Sequence, residues 1–243
     1  GNKVSGVRKL THRSIASFVK LSQRLEMVLL IITDVGLAFV DEMEAETGAR
    51  PLFLQCDITD AAALADCMTR IAPDILVLNA GRGAGFEGLA ETSRADMAAT
   101  IETNVTALLD MIRLTLPGMI HRKRGHIVTL GSVSGLYASV SSVYGGSKAA
   151  VKMIAENLRL ETRGTGIRVT DIRPGRVTSE FYDVALPADA ATRAKDTKIR
   201  ELAPGDIADA ILYAITAPVH VNVSAIELQP LEQTYGGTRF DPL

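Results

Sequence analysis

Tyr144 and Lys148 stand four residues apart in SSVYGGSKAAV, at the start of a stretch with helical spacing. Residues i and i+4 share one face of a helix, so the lysine ammonium lies close to the phenol and favours its ionised form. A phenol whose reference pKa is about 10 is thereby drawn toward neutrality, where it can take a proton from a substrate oxygen or return one to it. The same spacing also occurs on ordinary solvated helices. It becomes informative through the residues that accompany it.

A repeating layout must position those residues. Short apolar runs suited to buried parallel strands recur at 27–32 (MVLLII), 51–56 (PLFLQC), 74–80 (DILVLNA), 125–131 (GHIVTLG) and 167–174 (IRVTDIRP). Longer stretches of helical spacing separate them. VGLAFVDEMEAETG closes on a glycine suited to a helix C-cap, and SKAAVKMIAENLRLETRG sets Ala150, Met153, Ile154 and Leu158 along one apolar face. The alternation predicts an α/β fold: a single-domain doubly wound parallel sheet of the Rossmann type over residues 1–243, with helices on both faces.

Sheets of this kind carry their ligands at the carboxyl ends of the strands. Asp34, Asp57, Asn79-Ala80-Gly81, Gly131-Ser132 and Pro174-Gly175 stand at those ends. Asp34 closes the second strand. It is placed either to accept hydrogen bonds from both hydroxyls of an adenosine ribose while repelling an added 2′-phosphate, or to cap the helix that follows.

The accompanying residues are LNAG at 78–81, Asn104 in ETNVTALL, GSVSG at 131–135, YGGSK at 144–148 and RPGRVTSEF at 173–181. In order and spacing the chain from about residue 50 onward resembles the short-chain dehydrogenase/reductase family. RVTDIRPG and PVHVNVSAIELQPLEQTYGG are similar to the branch that holds 3-hydroxy acid and serine dehydrogenases and sulfoacetaldehyde reductases. The resemblance implies a catalytic set of Asn104, Ser132, Tyr144 and Lys148. Tyr144 would be the general acid/base, with Lys148 lowering its pKa and holding the nicotinamide ribose. Ser132 would bind the substrate oxygen, and Asn104 would fix a backbone carbonyl or a water that relays protons past the lysine.

For the cofactor it implies Asp57 and Ile58 at the adenine, Asn79, Ala80 and Gly81 on the adenosine-ribose side, and Pro174, Gly175, Val177 and Ser179 at the nicotinamide amide. The loop from Ser132 to Tyr144 is one residue shorter than the family's, so Ser134 is a second hydroxyl for the substrate. Arg176 either meets a substrate carboxylate or sulfonate through its planar fork or is a surface arginine.

The family's first turn carries glycines that let the backbone approach a pyrophosphate at a helix N-terminus. This chain offers Gly6, and RSIA places Ser14 and Ala16 where glycines would stand. That replacement resembles the enoyl-acyl-carrier-protein reductase branch, and it implies dinucleotide binding through an altered loop, with Lys9, His12 or Arg13 adding positive charge. Asp34, with no arginine after it in VGLAFV, favours NAD(H); the branch resemblance makes NADP(H) possible. The competing reading is a degenerate, non-catalytic relative that has lost cofactor binding and serves as a binding or assembly module.

Composition narrows the rest. Lys plus Arg number 26 against 28 Asp plus Glu, a net charge of −2, which provides no field for nucleic acid or anionic membrane. The longest apolar run is far short of a membrane span. Two cysteines, Cys56 and Cys67, make no disulfide framework and fit a cytoplasmic protein. His12, His121, His126 and His220 are too dispersed for a metal site. The stretches 105–119 and 144–163 are apolar beyond what one sheet face buries; in the family they pair across subunits, so a homotetramer, or a homodimer, is expected. FYDVALPADAATRAKDTKIRE is expected to be a polar loop closing over a small-molecule substrate.

Overall fold

The computed structural model describes residues 44–45, 52, 54–179, 181–186 and 198–233. Gly6, Ser14, Ala16, Asp34 and the run at 27–32 lie outside these residues.

Four parallel strands form one sheet in chain order: β1 (Ile75–Leu78), β2 (Gly125–Leu130), β3 (Ile167–Pro174) and β4 (Ala225–Leu228). β1 to β3 fall on the apolar runs read from the sequence. β4 was not among those runs, because AIEL is short and half-exposed at the sheet edge. Leu54, Gln55 and Cys56, expected in a strand, take no strand pairing among the described residues. Burial, with Cys67 beside it, pushes the Cys56 thiol's pKa up to about 12, the behaviour of a packed apolar group.

The connections are helical. α1 (Ala61–Thr69) starts where Asp60 accepts from the backbone N–H groups of Ala62 and Ala63 at 3.0 and 3.1 Å. α2 (Arg94–Ile101) starts at Ser93, whose hydroxyl accepts from Asp96 N at 3.0 Å. It runs through a wide π turn over Glu102–Thr106 into α3 (Ala107–Arg122). α3 stops where Lys123 takes a left-handed φ of 53° and the chain reverses into β2. α4 (Ser142–Glu161) is capped by Ser141, whose hydroxyl accepts from Tyr144 N at 3.0 Å and donates to Ala84 O at 2.5 Å. That second bond ties the start of α4 to the loop after β1. α5 (Phe181–Ala185) and α6 (Pro204–Thr216) complete the described helices.

Alternate β residues feed two cores. Leu76, Leu78, Ile127 and Val169 pack with α1, α3 and α4 on one face. Val128, Leu130 and Ile172 pack with Ile211 and Ile215 of α6 on the other. β2 is buried along its whole length, as a central parallel strand must be. The buried face of α4 differs from the expected one: it runs through Ser147, Lys148, Val151, Ala155 and Leu158, whereas Met153 is 49% exposed. Of the expected stripe, Leu158 is in the core and Ile154 packs against it, and Met153 falls outside because α4 turns Lys148 and Ser147 inward. Among the described residues, no helix is long and apolar enough to cross a membrane, and no cluster of ligating side chains could hold a metal.

Candidate active site

The strands end together at Leu78, Leu130, Pro174 and Leu228, so the residues that follow them converge on one edge. The turn after β2 begins at Ser132, held extended at φ −170° with its hydroxyl accepting from Ser134 N at 3.1 Å. The Ser132 hydroxyl acts on the phenol of Tyr144, in the first turn of α4, and draws its pKa down against the effect of burial. The short intervening loop therefore still brings serine to tyrosine, and Ser134 contributes its backbone instead. Gly135 makes this possible, since a β-carbon there would collide with the backbone of Lys148 at 2.6 Å.

One turn along α4, Lys148 is 6% exposed. Its ammonium donates to Leu130 O at 2.7 Å and lies 5.9 Å from the centre of the Tyr144 ring. Burial draws its pKa down to about 8, partly opposed by the negative charge of Asp171. Tyr144 departs from expectation: burial pushes its pKa up to about 12, with the Ser132 hydroxyl working the other way and Tyr182 adding to the rise. The cause is a shell of rings. Phe181 stands 5.1 Å from the Tyr144 ring, Phe86 5.8 Å, and Tyr182 closes the group at 5.2 Å from Phe181. Phe86, Phe181 and Tyr182 were not singled out in the sequence; the stretch opening at Phe181 was read as a polar loop, and its described start is an aromatic helix.

Asn104, in the π turn, is 1% exposed and satisfied on every side. Its oxygen accepts from Arg82 N at 2.8 Å, and its amide donates to Arg82 O at 2.8 Å and to Ser147 Oγ at 2.9 Å. The Ser147 hydroxyl in turn donates a hydrogen bond to the backbone carbonyl of Tyr144 at 2.7 Å. Asn104 thus clamps the loop after β1 against α4, and Arg82 O is the carbonyl it fixes. Gly81 lies in this junction: a β-carbon there would sit 3.3 Å from Lys148 Nζ and 3.5 Å from Asn104 Oδ1.

Beside the clamp opens a cleft of ≈560 Å³ lined by Asp57, Thr59, Arg82, Glu102 and Thr103 among others. Asp57 is exposed on its rim and accepts from the Thr59 hydroxyl and N–H at 2.7 and 2.8 Å, which holds its carboxyl below the usual range. Ile58 packs partly into the core below. Asn79 and Ala80 continue from β1 toward the same edge. Thr59, Arg82 and Thr103 carried no motif and could not have been read from spacing.

On the far side, Pro174 ends β3, and Gly175 N donates to Leu228 O at 2.7 Å. A side chain at Gly175 would collide with Gln233. Val177 pairs with Leu202 in an isolated parallel bridge, and Ser179 accepts from Phe181 N at 3.4 Å. Arg176 is neither at the surface nor turned to open solvent. Its Nε donates to Glu201 Oε1 at 2.7 Å with side-chain exposures of 8% and 13%, and its guanidinium stacks 4.1 Å over the Tyr182 ring. Glu201 also accepts from the Thr178 hydroxyl at 3.0 Å.

A serine hydroxyl near a buried phenol, a cation one turn away and a closely packed glycine beside an open cleft at the strand ends are parts that a Rossmann-type redox site can use. The family model described as short chain dehydrogenase matches residues 21–190, and the chain belongs to the short-chain dehydrogenase/reductase family, NAD(P)-dependent oxidoreductases that act on CH–OH groups. It is 35% identical over 206 residues, 82% of this chain and 83% of the other, to the NADP-dependent 3-hydroxy acid dehydrogenase YdfG of Escherichia coli (strain K12). It is 38% identical over 190 residues to the sulfoacetaldehyde reductase of Chromohalobacter salexigens, covering 76% of this chain and 74% of that one. Among solved structures, the closed form of serine dehydrogenase complexed with NADP+ superposes with a TM-score of 0.83 at 31% identity, over 93% of each chain.

Proposed function

We infer that this chain interconverts a small polar alcohol, such as a 3-hydroxy acid, and its carbonyl compound, with Tyr144 as the proton-transferring group. The observation that carries the reading is the buried Lys148 ammonium 5.9 Å from the centre of the Tyr144 ring, one turn along the same helix, with Ser132 acting on the phenol from the turn after β2. The dinucleotide, when bound, supplies or accepts the hydride. The protein's part is orientation and charge. Ser132 holds the substrate oxygen against the phenol, and Tyr144 moves the proton. Lys148 stabilises the phenolate electrostatically and holds the nicotinamide ribose, while Asn104 keeps the loop and helix in register.

The cofactor residues are Asp57 and Ile58 for adenine, Asn79, Ala80 and Gly81 on the adenosine-ribose side, and Pro174, Gly175, Val177 and Ser179 for the nicotinamide amide. Gly6, Ser14 and Ala16 would serve the pyrophosphate. For the choice of dinucleotide, Asp34 argues for NAD(H), and the NADP in the relatives' names argues for NADP(H). We keep NAD(H) as the reading and let the ratio of kcat/KM with the two reduced forms decide it. Arg176 already pairs through its Nε with Glu201, so Ser134 and Arg176 stand as substrate residues behind Ser132.

We read residues 1–243 as one domain of a cytoplasmic homotetramer. Ile101, Leu109, Ile120, Met153 and Leu160, 39–68% exposed on α2 to α4, support assembly through these helices. Light scattering on the purified protein gives the copy number.

The test is direct. NADH and NADPH are titrated against the protein by thermal shift, and serine, other 3-hydroxy acids and sulfoacetaldehyde are assayed with both. Saturation to 100 times the dissociation constant should add about 2.7 kcal/mol. Tyr144→Phe should bind the dinucleotide normally and lose turnover. Binding by neither dinucleotide would leave the non-catalytic reading in possession.

A further inference from the structure

The ammonium of Lys148 is buried, and the one hydrogen bond described for it goes to a peptide carbonyl, not to an anion. That carbonyl belongs to the Leu130–Gly131 peptide, and Gly131 packs against Asp171: a β-carbon at Gly131 would lie 2.7 Å from Asp171 Oδ1. The missing side chain is what lets a carboxylate stand directly behind the peptide that holds the lysine. Asp171 is 0% exposed. Its Oδ1 accepts from Thr129 Oγ1 at 2.8 Å, across the β2–β3 register pair Thr129↔Asp171, and its Oδ2 from Arg173 Nε at 2.6 Å. Arg173 continues to Glu156 at 3.3 Å, and Glu156 to Lys152 at 3.2 Å. Charges of alternating sign therefore run between β3 and one face of α4, with Lys148 at the end nearest the phenol.

Among the described residues, the other elements around Lys148 offer it no second anion. α4 contributes the Tyr144 phenol before it and the Lys152–Glu156 pair after it. β2 and its turn contribute Thr129, Gly131 and Ser132, and the loop after β1 contributes Arg82, whose guanidinium is turned to Asp96 at 3.2 Å. Glu102 of the π turn lies on the rim of the cleft.

We propose that Asp171 is the counter-charge that keeps Lys148 protonated in its buried position, and that Arg173 sets how much of that charge the lysine feels. Asp171 is then a positioning residue: it touches no substrate, and it acts through Lys148. The proposal rests on the reading of Lys148 as the cation that supports Tyr144. Burial draws this lysine's pKa down and the carboxylate behind the peptide works against that fall, so that it comes to rest at about 8.

Two substitutions of opposite sign test this. In Asp171→Asn the lysine loses its anion and should titrate at least one pH unit lower. In Arg173→Gln the carboxylate is released from a competing cation and the lysine should titrate higher. The readout independent of activity is the 13C chemical shift of the Lys148 Cε in lysine-labelled protein without dinucleotide, assigned by its absence in Lys148→Arg. The second readout is the alkaline limb of kcat/KM for serine oxidation, which should follow the same two directions. Thr129→Val removes a hydrogen bond to Asp171 but no charge, and should leave the limb within a few tenths of a pH unit.

An unmoved Lys148 titration in both charge variants overturns the proposal, and so do shifts of the same sign in both. Should Asp171→Asn not fold, an upward shift in Arg173→Gln supports the proposal and an unchanged one overturns it. A wild-type protein without turnover, whose lysine nonetheless titrates as expected, would defeat the catalytic reading and leave the charge coupling standing.

Discussion

The ring of Phe181 lies 5.1 Å from that of Tyr144 and presses on the backbone at Gly83, where any side chain would collide with it. The aromatic residue is thus wedged between the loop after β1 and the candidate proton donor, and it is a main reason the phenol is dry. Replacing it should wet the site. In Phe181→Ala the Tyr144 titration, followed by phenolate absorbance and isolated by subtracting Tyr144→Phe, should fall from about 12 toward the ordinary value of about 10. A titration unchanged by the substitution would place the desolvation elsewhere.

Arg176 and Glu201 form an ion pair largely removed from water, so breaking it on one side strands a charge. Glu201→Gln should cost about 3 kcal/mol of unfolding free energy and loosen the Val177–Leu202 bridge. The double replacement Arg176→Met with Glu201→Leu should recover most of that loss. Chemical denaturation of the three variants measures both terms, and a double variant no more stable than the single one would contradict the argument.

His126 is buried in β2, with Nε2 2.8 Å from Thr170 Oγ1 and no partner for Nδ1. Burial, reinforced by the positive charge of Arg168, lowers its pKa to about 3. Between about pH 3 and 6.5 the unfolded chain holds a proton here that the folded chain refuses, so stability rises with pH through this window and is fully present above it. Acidification from pH 6.5 to 4 should cost a few kcal/mol in the wild type. The slope should flatten in His126→Gln, which keeps a polar partner for Thr170 without titrating. Urea midpoints measured across that range provide the check.

A β-carbon at Gly81 would sit 3.3 Å from Lys148 Nζ and 3.5 Å from Asn104 Oδ1, a tight fit that the lysine could meet only by shifting a few tenths of an ångström. Gly81→Ala should leave the melting temperature within a few degrees while weakening NADH or NADPH binding by roughly tenfold, the equivalent of about 1.4 kcal/mol. Equal loss of stability and binding would mean the glycine serves the fold and not the cleft.

The parts of the site that were legible in the sequence are those carried by local spacing and by the motifs that resemble the family. Tyr144 and Lys148 share a helix face, and Ser132 and Gly175 follow apolar runs, so their convergence needed only the assumption of a parallel sheet. Asn104 was found through its motif, although its partner Arg82 was not, because that contact joins positions 22 apart in sequence. Phe86, Phe181, Glu201 and Asp171 were invisible for a related reason: each acquires its meaning from a chain segment that no periodicity brings near. Arg176 shows the limit from the other side. Its fork suits a substrate carboxylate or sulfonate or an exposed surface, and the fold buries it against Glu201, a carboxylate 25 residues on that no spacing announces. Met153 was misplaced because α4 buries Lys148 and Ser147, residues that hydropathy sends outward.

The π turn at Glu102–Thr106 inserts one residue more than a regular turn between α2 and α3. Each residue of an α-helix advances the face by about 100°. The insertion therefore lets one continuous rod aim Thr103 at the cleft, Asn104 at the clamp and Leu108 at the core. Excising a single residue here would act as a twist and not as a shortening. Everything upstream would swing about a quarter revolution around the axis, unseating the asparagine while leaving the helix itself intact.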